Sequence, residues 1–168
     1  RRQRQMCIRD SSKGIGLGVA KALAAEGCHV HLAARSAEQL ELAASEVERE
    51  GGPTVTVTTH AVDLATSEGQ DELVTAAGIP DIWINNAGAI PAGDIGTVDE
   101  NTWRAAWELK VFGYINLCRH VVPPMLERGH GVVLNVIGAA ADRPQPTYIA
   151  GAVGNSGLVG LSLSLIHI

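Results

Sequence analysis

The chain has 168 residues, 46% of them hydrophobic and 18% charged, with a formal net charge of -5 at pH 7. That is one domain's worth of chain with enough apolar residues for a single core, which excludes a disordered protein. The acidic balance gives no footing for nucleic acid, and no apolar run is read as a membrane span.

Arg1, Arg2, Arg4 and Arg9 crowd the first ten residues, where only Met6-Cys7-Ile8 can be buried without cost. From Gly14 to Glu26 the pattern is helical, with Ile15, Val19 and Leu23 on one face. Residues 28–34 (Cys-His-Val-His-Leu-Ala-Ala) form the next strand. Ser36-Ala-Glu-Gln39 is a capping box that opens a helix ending near Gly51-Gly52. Thr54 to Ala61 is β-branched and strand-like, and closes on Val62-Asp63-Leu64. Ser67 to Gln70 starts another helix, which stops at Gly78-Ile79-Pro80. A short strand follows at 81–85. A second capping box, Thr97-Val-Asp-Glu100, opens a long helix through Trp103, Trp107 and Leu117 to about Met125. Residues 131–137 are a fully apolar strand, and a last helix runs from about Tyr148.

This alternation calls for a doubly wound parallel α/β sheet with helices on both faces, a Rossmann-like single domain. Continuously apolar strands such as Val132 to Ile137 suit a parallel sheet covered on both sides.

Two motifs carry chemistry. Ser11-Ser-Lys-Gly-Ile-Gly-Leu-Gly18 lies where the first strand hands over to a helix, and Asp81-Ile-Trp-Ile-Asn-Asn-Ala-Gly88 ends the fourth strand. A Gly-rich turn lets backbone approach a phosphate and aims the free N–H groups of a helix N-terminus at it. Together these segments resemble the short-chain dehydrogenase/reductase family over roughly residues 11 to 161, as a divergent and truncated member.

The resemblance implies a nicotinamide dinucleotide bound by Ser12, Lys13, Gly14, Ile15 and Gly16, with Asp63 and Leu64 at the adenine and Asn86, Ala87 and Gly88 lining its ribose. Arg9 and Asp10 stand where the family has Thr and Gly, and the Asp puts a negative charge near the pyrophosphate. At about 5 Å and an effective dielectric of about 20, that repulsion is roughly 3 kcal/mol. Lys13 and Arg35 are two cations suited to a 2′-phosphate, and no acidic residue ends the second strand, so NADP is favoured over NAD.

The family's acid/base is a tyrosine with a lysine four residues on, supported by a serine and an asparagine. Aligned without gaps, Gly138, Gly151 and Asn155 fall where Ser, Tyr and Lys belong. Tyr148 lies about one helical turn before the usual tyrosine. Lys13 belongs to the phosphate turn and Lys21 to the first helix, which leaves Lys110, at the position of the family's asparagine. Two readings stand. In one the site is rearranged, with Tyr148 as acid/base, Lys110 as its cation and Asn155 donating a hydrogen bond. In the other Tyr148 is a loop residue, Lys110 faces solvent, and the protein is a nucleotide-binding sensor or scaffold, or an inactive fragment.

Other polar residues read as structural. His29 and His31 alternate on one strand face with no carboxylate or cysteine beside them, so they read as core and rim, not metal ligands. Cys7, Cys28 and Cys118 have no metal spacing and suit buried thiols of a cytoplasmic protein. Residues 1–10 and about 162–168 read as foreign to the fold, with the C-terminal part of the family fold missing. That leaves the apolar fifth strand at a sheet edge. The implied partner is a small alcohol or carbonyl substrate, with no nucleic acid and no membrane, and with a homo-oligomer in the full-length parent.

Overall fold

A computed structural model of the chain describes residues 4–86, 88 and 90–166. In chain order the elements are β1 (Gln5–Arg9), α1 (Gly14–Ala25), β2 (His29–Ala34), α2 (Ala37–Gly51), β3 (Val57–Ala61), α3 (Ser67–Ala77), β4 (Ile82–Asn85), α4 (Glu100–Trp107), α5 (Gly113–Glu127), β5 (Val132–Asn135) and α6 (Ile149–Ile166). A π-helical turn, Glu108–Phe112, joins α4 to α5, and a single 3-10 turn spans Ala139–Ala141. The strands are all parallel, in the order β3-β2-β1-β4-β5. The doubly wound α/β fold expected from the sequence is the fold observed.

Side-chain alternation along the strands builds two core layers. Met6, Ile8, Val30 and Leu32 face α1 and α2, where they meet Ala20, Ala24, Leu40 and Val47. Cys7, Ala33 and Trp83 face the other way, onto Leu73 and Ala77 of α3 and Leu117 and Val121 of α5. The buried face of α1 is Gly16, Ala20 and Ala24, one residue along from the expected Ile15, Val19 and Leu23. Small residues let this helix approach the sheet closely, while Ile15 is 64% exposed at its start.

The helix starts follow their caps. Ser36 accepts from the Gln39 N–H, as its capping box requires. Thr66 caps α3, one residue before the expected start, and Asp99 caps α4 by accepting from the Thr102 N–H. Thr97 is thus not a cap. It closes a turn in which its N–H donates to Asp94 Oδ1 and its Oγ1 accepts from the Asp94 N–H.

The segment expected to lie outside the fold supplies its central strand. Gln5–Arg9 pair with β2 on one side and, through Met6, Cys7 and Ile8, with β4 on the other. Arg9 is fully buried, and the chain provides for it. Its Nη1 donates to Asn85 Oδ1 at 3.3 Å, its Nη2 to the Leu109 carbonyl at 3.1 Å, and its guanidinium lies 5.1 Å from the Tyr114 ring. Burial lowers its pKa to about 10, so it stays charged at neutral pH, with Nε left without a partner.

At the other end α6 continues to Ile166, and Ser162, also expected to be outside, accepts at 2.9 Å from Asn135 Nδ2. Asn135 in turn accepts from Asn85 Nδ2 at 2.8 Å. A polar chain thus crosses the sheet from Arg9 through Asn85 and Asn135 to α6. The 18-residue α6 is long and apolar enough to cross a membrane by length and composition, which the sequence reading did not anticipate. Its buried residues are Ala150, Gly151, Ala152, Gly154, Asn155 and Leu158, all in its first ten, and about a third of the helix is buried. Beyond it β5 is the outermost strand, with Val132 and Leu134 54% and 46% exposed beside an apolar groove of about 660 Å³.

Candidate active site

The C-terminal ends of β1, β2 and β4 meet at the start of α1. Unlike α2, α3 and α4, this helix has no side-chain cap, since Lys13 occupies the N-cap position without a capping hydrogen bond. Its first N–H groups therefore point out unpaired by any side chain. Gly14 has a φ of +58° and open space where a Cβ would stand. Lys13, Gly14 and Ile15 are all exposed there. This geometry fits an anionic group such as a phosphate.

The remaining turn residues have structural tasks. Gly16 faces inward: a Cβ there would lie 2.5 Å from the Asp10 carbonyl oxygen and 2.7 Å from Asn86 Nδ2. Asn86 Nδ2 donates to that same Asp10 carbonyl at 3.3 Å, which ties the end of β4 to the Gly-rich turn. Asp10 itself has a φ of +49°, the only positive φ outside glycine among the described residues. Left-handed backbone is costly for a residue with a Cβ, and Asp tolerates it better than most. The conformation is the one a glycine would adopt freely.

Ser12 Oγ reaches Gln39 Oε1 at 3.5 Å, which sets the turn beside the start of α2. Arg35 is exposed at the end of β2, just before the Ser36 cap. Asp63 is exposed and accepts from the Ala65 N–H, whereas Leu64 puts its side chain into the core and its carbonyl accepts from Gln70 Nε2. Ala87 lies outside the described residues.

Lys110 sits inside the π-helical turn and is 8% exposed, not solvent-facing. Burial holds its ammonium below the usual lysine pKa. Its aliphatic stem lies on Gly88, whose φ is +127° and where a Cβ would come within 2.7 to 2.9 Å of Lys110 Cβ, Cγ and Cδ. The wide turn has an identifiable cause. The Gly113 N–H bonds to Glu108 and Lys110 carbonyls and skips Leu109, whose carbonyl takes the Arg9 guanidinium instead. Gly113 also leaves room for Arg9, because a Cβ there would stand 2.9 Å from Nη2.

Tyr148 precedes α6, and its backbone is pinned to the loop after β4, since Gly93 donates to the Thr147 carbonyl and accepts from the Ile149 N–H. Its ring lies where a side chain at Gly151 would begin. A Cβ at Gly151 would collide with Cε1 and Cζ of Tyr148. Asn155 is one turn further along the same helix face and is 1% exposed, with neither Nδ2 nor Oδ1 hydrogen-bonded. It faces Gly138, where a Cβ would stand 2.8 Å from Asn155 Nδ2. Trp107 Nε1 donates to the Ala150 carbonyl, and Trp107, Val111 and Ile90 meet α6 at Gly154. Lys110 is therefore on a wall that packs against the helix carrying Asn155. Among the described residues no hydrogen bond joins the side chains of Lys110, Tyr148 and Asn155.

The family model for short chain dehydrogenases matches residues 4–167. The chain belongs to the short-chain dehydrogenase family. Dehydrogenase/reductase SDR family member 4 of Homo sapiens is 31% identical over 92% of this chain and 56% of its own length. An uncharacterized oxidoreductase of Bacillus subtilis, YvrD, is 29% identical over 96% of this chain and 61% of its own. The crystal structure of L-sorbose reductase from Gluconobacter frateurii, complexed with NADPH and L-sorbose, superposes with a TM-score of 0.89 at 35% identity, covering 97% of this chain and 63% of that one. The chain thus spans about 60% of the length of the relatives it matches.

In this family member two polar features are not announced by the sequence patterns above. The Arg9–Asn85–Asn135–Ser162 chain could have been suspected from an Asn at the end of each of two neighbouring strands. The second is His60, which meets His31 across the β2–β3 pair and has no sequence neighbour to announce it. Among the described residues no three His, Cys, Asp or Glu side chains are grouped to hold a metal ion.

Proposed function

We propose that this chain is the nucleotide-binding part of an NADP-dependent oxidoreductase acting on an alcohol/carbonyl pair, with Tyr148 as acid/base, Lys110 as its supporting cation and Asn155 as a hydrogen-bonding group. The observation that carries this reading is the Tyr148 ring resting over Gly151, which brings a phenol to the helix face of Asn155 although residue 151 has no side chain. NADP rather than NAD is supported by Lys13 at the uncapped N-terminus of α1 and by the exposed Arg35 just before Ser36, the cap of the helix whose Gln39 meets Ser12. Asp63, Leu64, Asn86, Ala87 and Gly88 line the adenosine end in this reading. The three unpaired, buried thiols support a cytoplasmic setting, and a homo-oligomer of the full-length protein belongs to the same proposal.

The nicotinamide, when bound, supplies or accepts the hydride. In the reducing direction Tyr148 gives its phenolic proton to the carbonyl oxygen, and in the oxidising direction it takes the proton of the alcohol. A phenol needs a nearby positive charge to reach a working pKa. Lys110, partly desolvated in its π-helical turn, has the field of a charge little screened by water.

A second reading rests on a specific observation. Gly138 and Gly151 carry no side chains and Asn155 is unpartnered, which suits a protein that binds the nucleotide as a sensor or scaffold. NADPH oxidation against a panel of carbonyl compounds separates the two. Tyr148→Phe is expected to lower kcat by about 100-fold or more, and Lys110→Ala in the same direction. Unchanged turnover in both variants overturns the assigned roles. Tight NADPH binding with no turnover of any carbonyl favours the sensor.

A further inference from the structure

His31 on β2 and His60 on β3 lie on neighbouring strands, where Ala33 is the register partner of His60 and Thr58 that of His31. The two side chains meet diagonally, with Nδ1 of His31 2.9 Å from Nε2 of His60. Their ring centroids are 5.2 Å apart and their planes only 18° from parallel. That separation is about as large as imidazole geometry allows at this N···N distance, so the rings meet edge to edge with both nitrogens between them. The pair sits on the sheet face shared with α3 and α5, since strand alternation puts it beside Ala33 and Val62 of that core layer.

We propose that His31 and His60 form a binding site for one divalent transition-metal ion of the Ni(II) or Cu(II) class, with water completing the coordination. Metal–imidazole bonds are about 2.0–2.1 Å long. Two nitrogens in adjacent positions of a square or octahedral ion, at about 90°, therefore stand about 2.9 Å apart. The protein holds them at that spacing already. The two nitrogens now face each other as the ends of a hydrogen bond, so each ring has to turn about its Cβ–Cγ bond before both lone pairs reach one ion.

The chemistry of the donors sets the class of ion. Imidazole nitrogen suits Ni, Cu and Zn, whereas Mg and Ca ask for oxygen ligands. Both rings are neutral near pH 7, the state in which imidazole ligates. Burial lowers the pKa of each, and the neighbouring His60 and His29 lower that of His31 further. In the free pair one facing nitrogen carries a hydrogen. On metal binding that ring moves the hydrogen to its outer nitrogen, so no net proton is released. His29 Nδ1 already accepts from the Thr56 N–H at 2.9 Å, which leaves only its Nε2 free to ligate.

Calorimetric titration of the full chain with nickel chloride near neutral pH tests the site. One ion per chain is expected, with affinity falling at least about tenfold in both His31→Gln and His60→Gln. His120→Gln, which removes the imidazole paired with Asp71 at 3.2 Å, is expected to change nothing. Absence of Ni(II) binding by the folded chain, or affinity unchanged in both His31→Gln and His60→Gln, overturns the proposal. Should either variant fail to fold, imidazole proton spectra of the unaltered chain decide the question. Paramagnetic broadening at low Ni(II) must strike His31 and His60 first. Broadening that begins at His120 or His130 refutes the site.

Discussion

Replacing Arg9 with methionine removes a buried charge while keeping most of the side-chain volume, and the structure allows the consequence to be worked through. Burial moves the guanidinium from its ordinary 12.5 to about 10. At about 1.4 kcal/mol per pKa unit, this makes the buried charge unfavourable by roughly 3 kcal/mol, an amount the variant recovers. Against that, the Leu109 carbonyl loses the donor at 3.1 Å. An orphaned buried acceptor costs about 1–3 kcal/mol. Asn85 Oδ1 is not orphaned, because Trp83 Nε1 still donates to it at 3.0 Å. The contact with the Tyr114 ring, worth about 1–2 kcal/mol when desolvated, is lost as well. The sum lies near zero. Arg9→Met should therefore unfold in urea within about 2 kcal/mol of the unaltered chain. Arg9→Ala has the same electrostatics but leaves a cavity, and should be lower than Arg9→Met by about 2–4 kcal/mol. Tryptophan fluorescence is a suitable probe, since buried Trp83 shares its hydrogen-bond acceptor with Arg9. If Arg9→Met loses as much as Arg9→Ala, the charge itself stabilises the fold and the reasoning is wrong.

Other perturbations follow from the same contacts. Gly151→Ala places a methyl inside the Tyr148 ring, so the ring must leave; its NMR resonances should shift, and any carbonyl turnover should fall as far as in Tyr148→Phe. Full activity with a displaced ring would dissociate Tyr148 from catalysis. Gly88→Ala meets both a φ of +127° and the Lys110 stem, and should cost about 1–3 kcal/mol in a denaturant titration. A loss below the error of that titration would mean that Lys110 is not held against Gly88. His31 and His60 are both held below the ordinary histidine pKa of 6.5. As pH falls through 6.5 the unfolded chain takes up protons first, so their contribution is intact above 6.5 and is lost as pH falls toward the lowered folded values. Denaturant titrations at stepped pH should show this loss, and it should shrink in His60→Gln; an equal loss in that variant would locate the titration elsewhere.

The layer order, the parallel sheet and most elements were legible because they rest on local periodicity and caps. Ser36 is the clearest case, since its capping box is a four-residue pattern and the helix starts where that pattern says. The long helix after Thr97 departs from its sequence pattern in two ways, and neither cause is local. Its start is set by Asp99 because Thr97 is taken up by Asp94, and its middle opens into a π turn because Arg9, about a hundred residues earlier, claims the Leu109 carbonyl. Arg9 looks foreign to the sheet in the sequence because an arginine in a central strand has no partner visible there. Its partners come from β4, the π turn and α5. The candidate site was half legible. Glycine spacing and Asn86 announced the turn at α1, and elimination among three lysines pointed to Lys110. That Tyr148 folds back over Gly151 depends on how Gly93 pins the chain before α6, a contact between segments far apart in sequence.

The central claim, an NADP site built on the Gly-rich turn, is tested most directly by NADPH binding measured by fluorescence, with NADH as control. The chain as it stands is compared with Asp10→Gly, which leaves the buried Arg9 and its contacts intact. Asp10 carries a left-handed backbone and, in the proposed reading, an acidic side chain near the phosphate. Removing a repulsion of roughly 3 kcal/mol is worth about 100-fold in affinity. The account expects Asp10→Gly to bind NADPH about that much more tightly than the unaltered chain, and more tightly than it binds NADH. If neither form binds either nucleotide while circular dichroism shows both folded, the cofactor reading of this fold is contradicted.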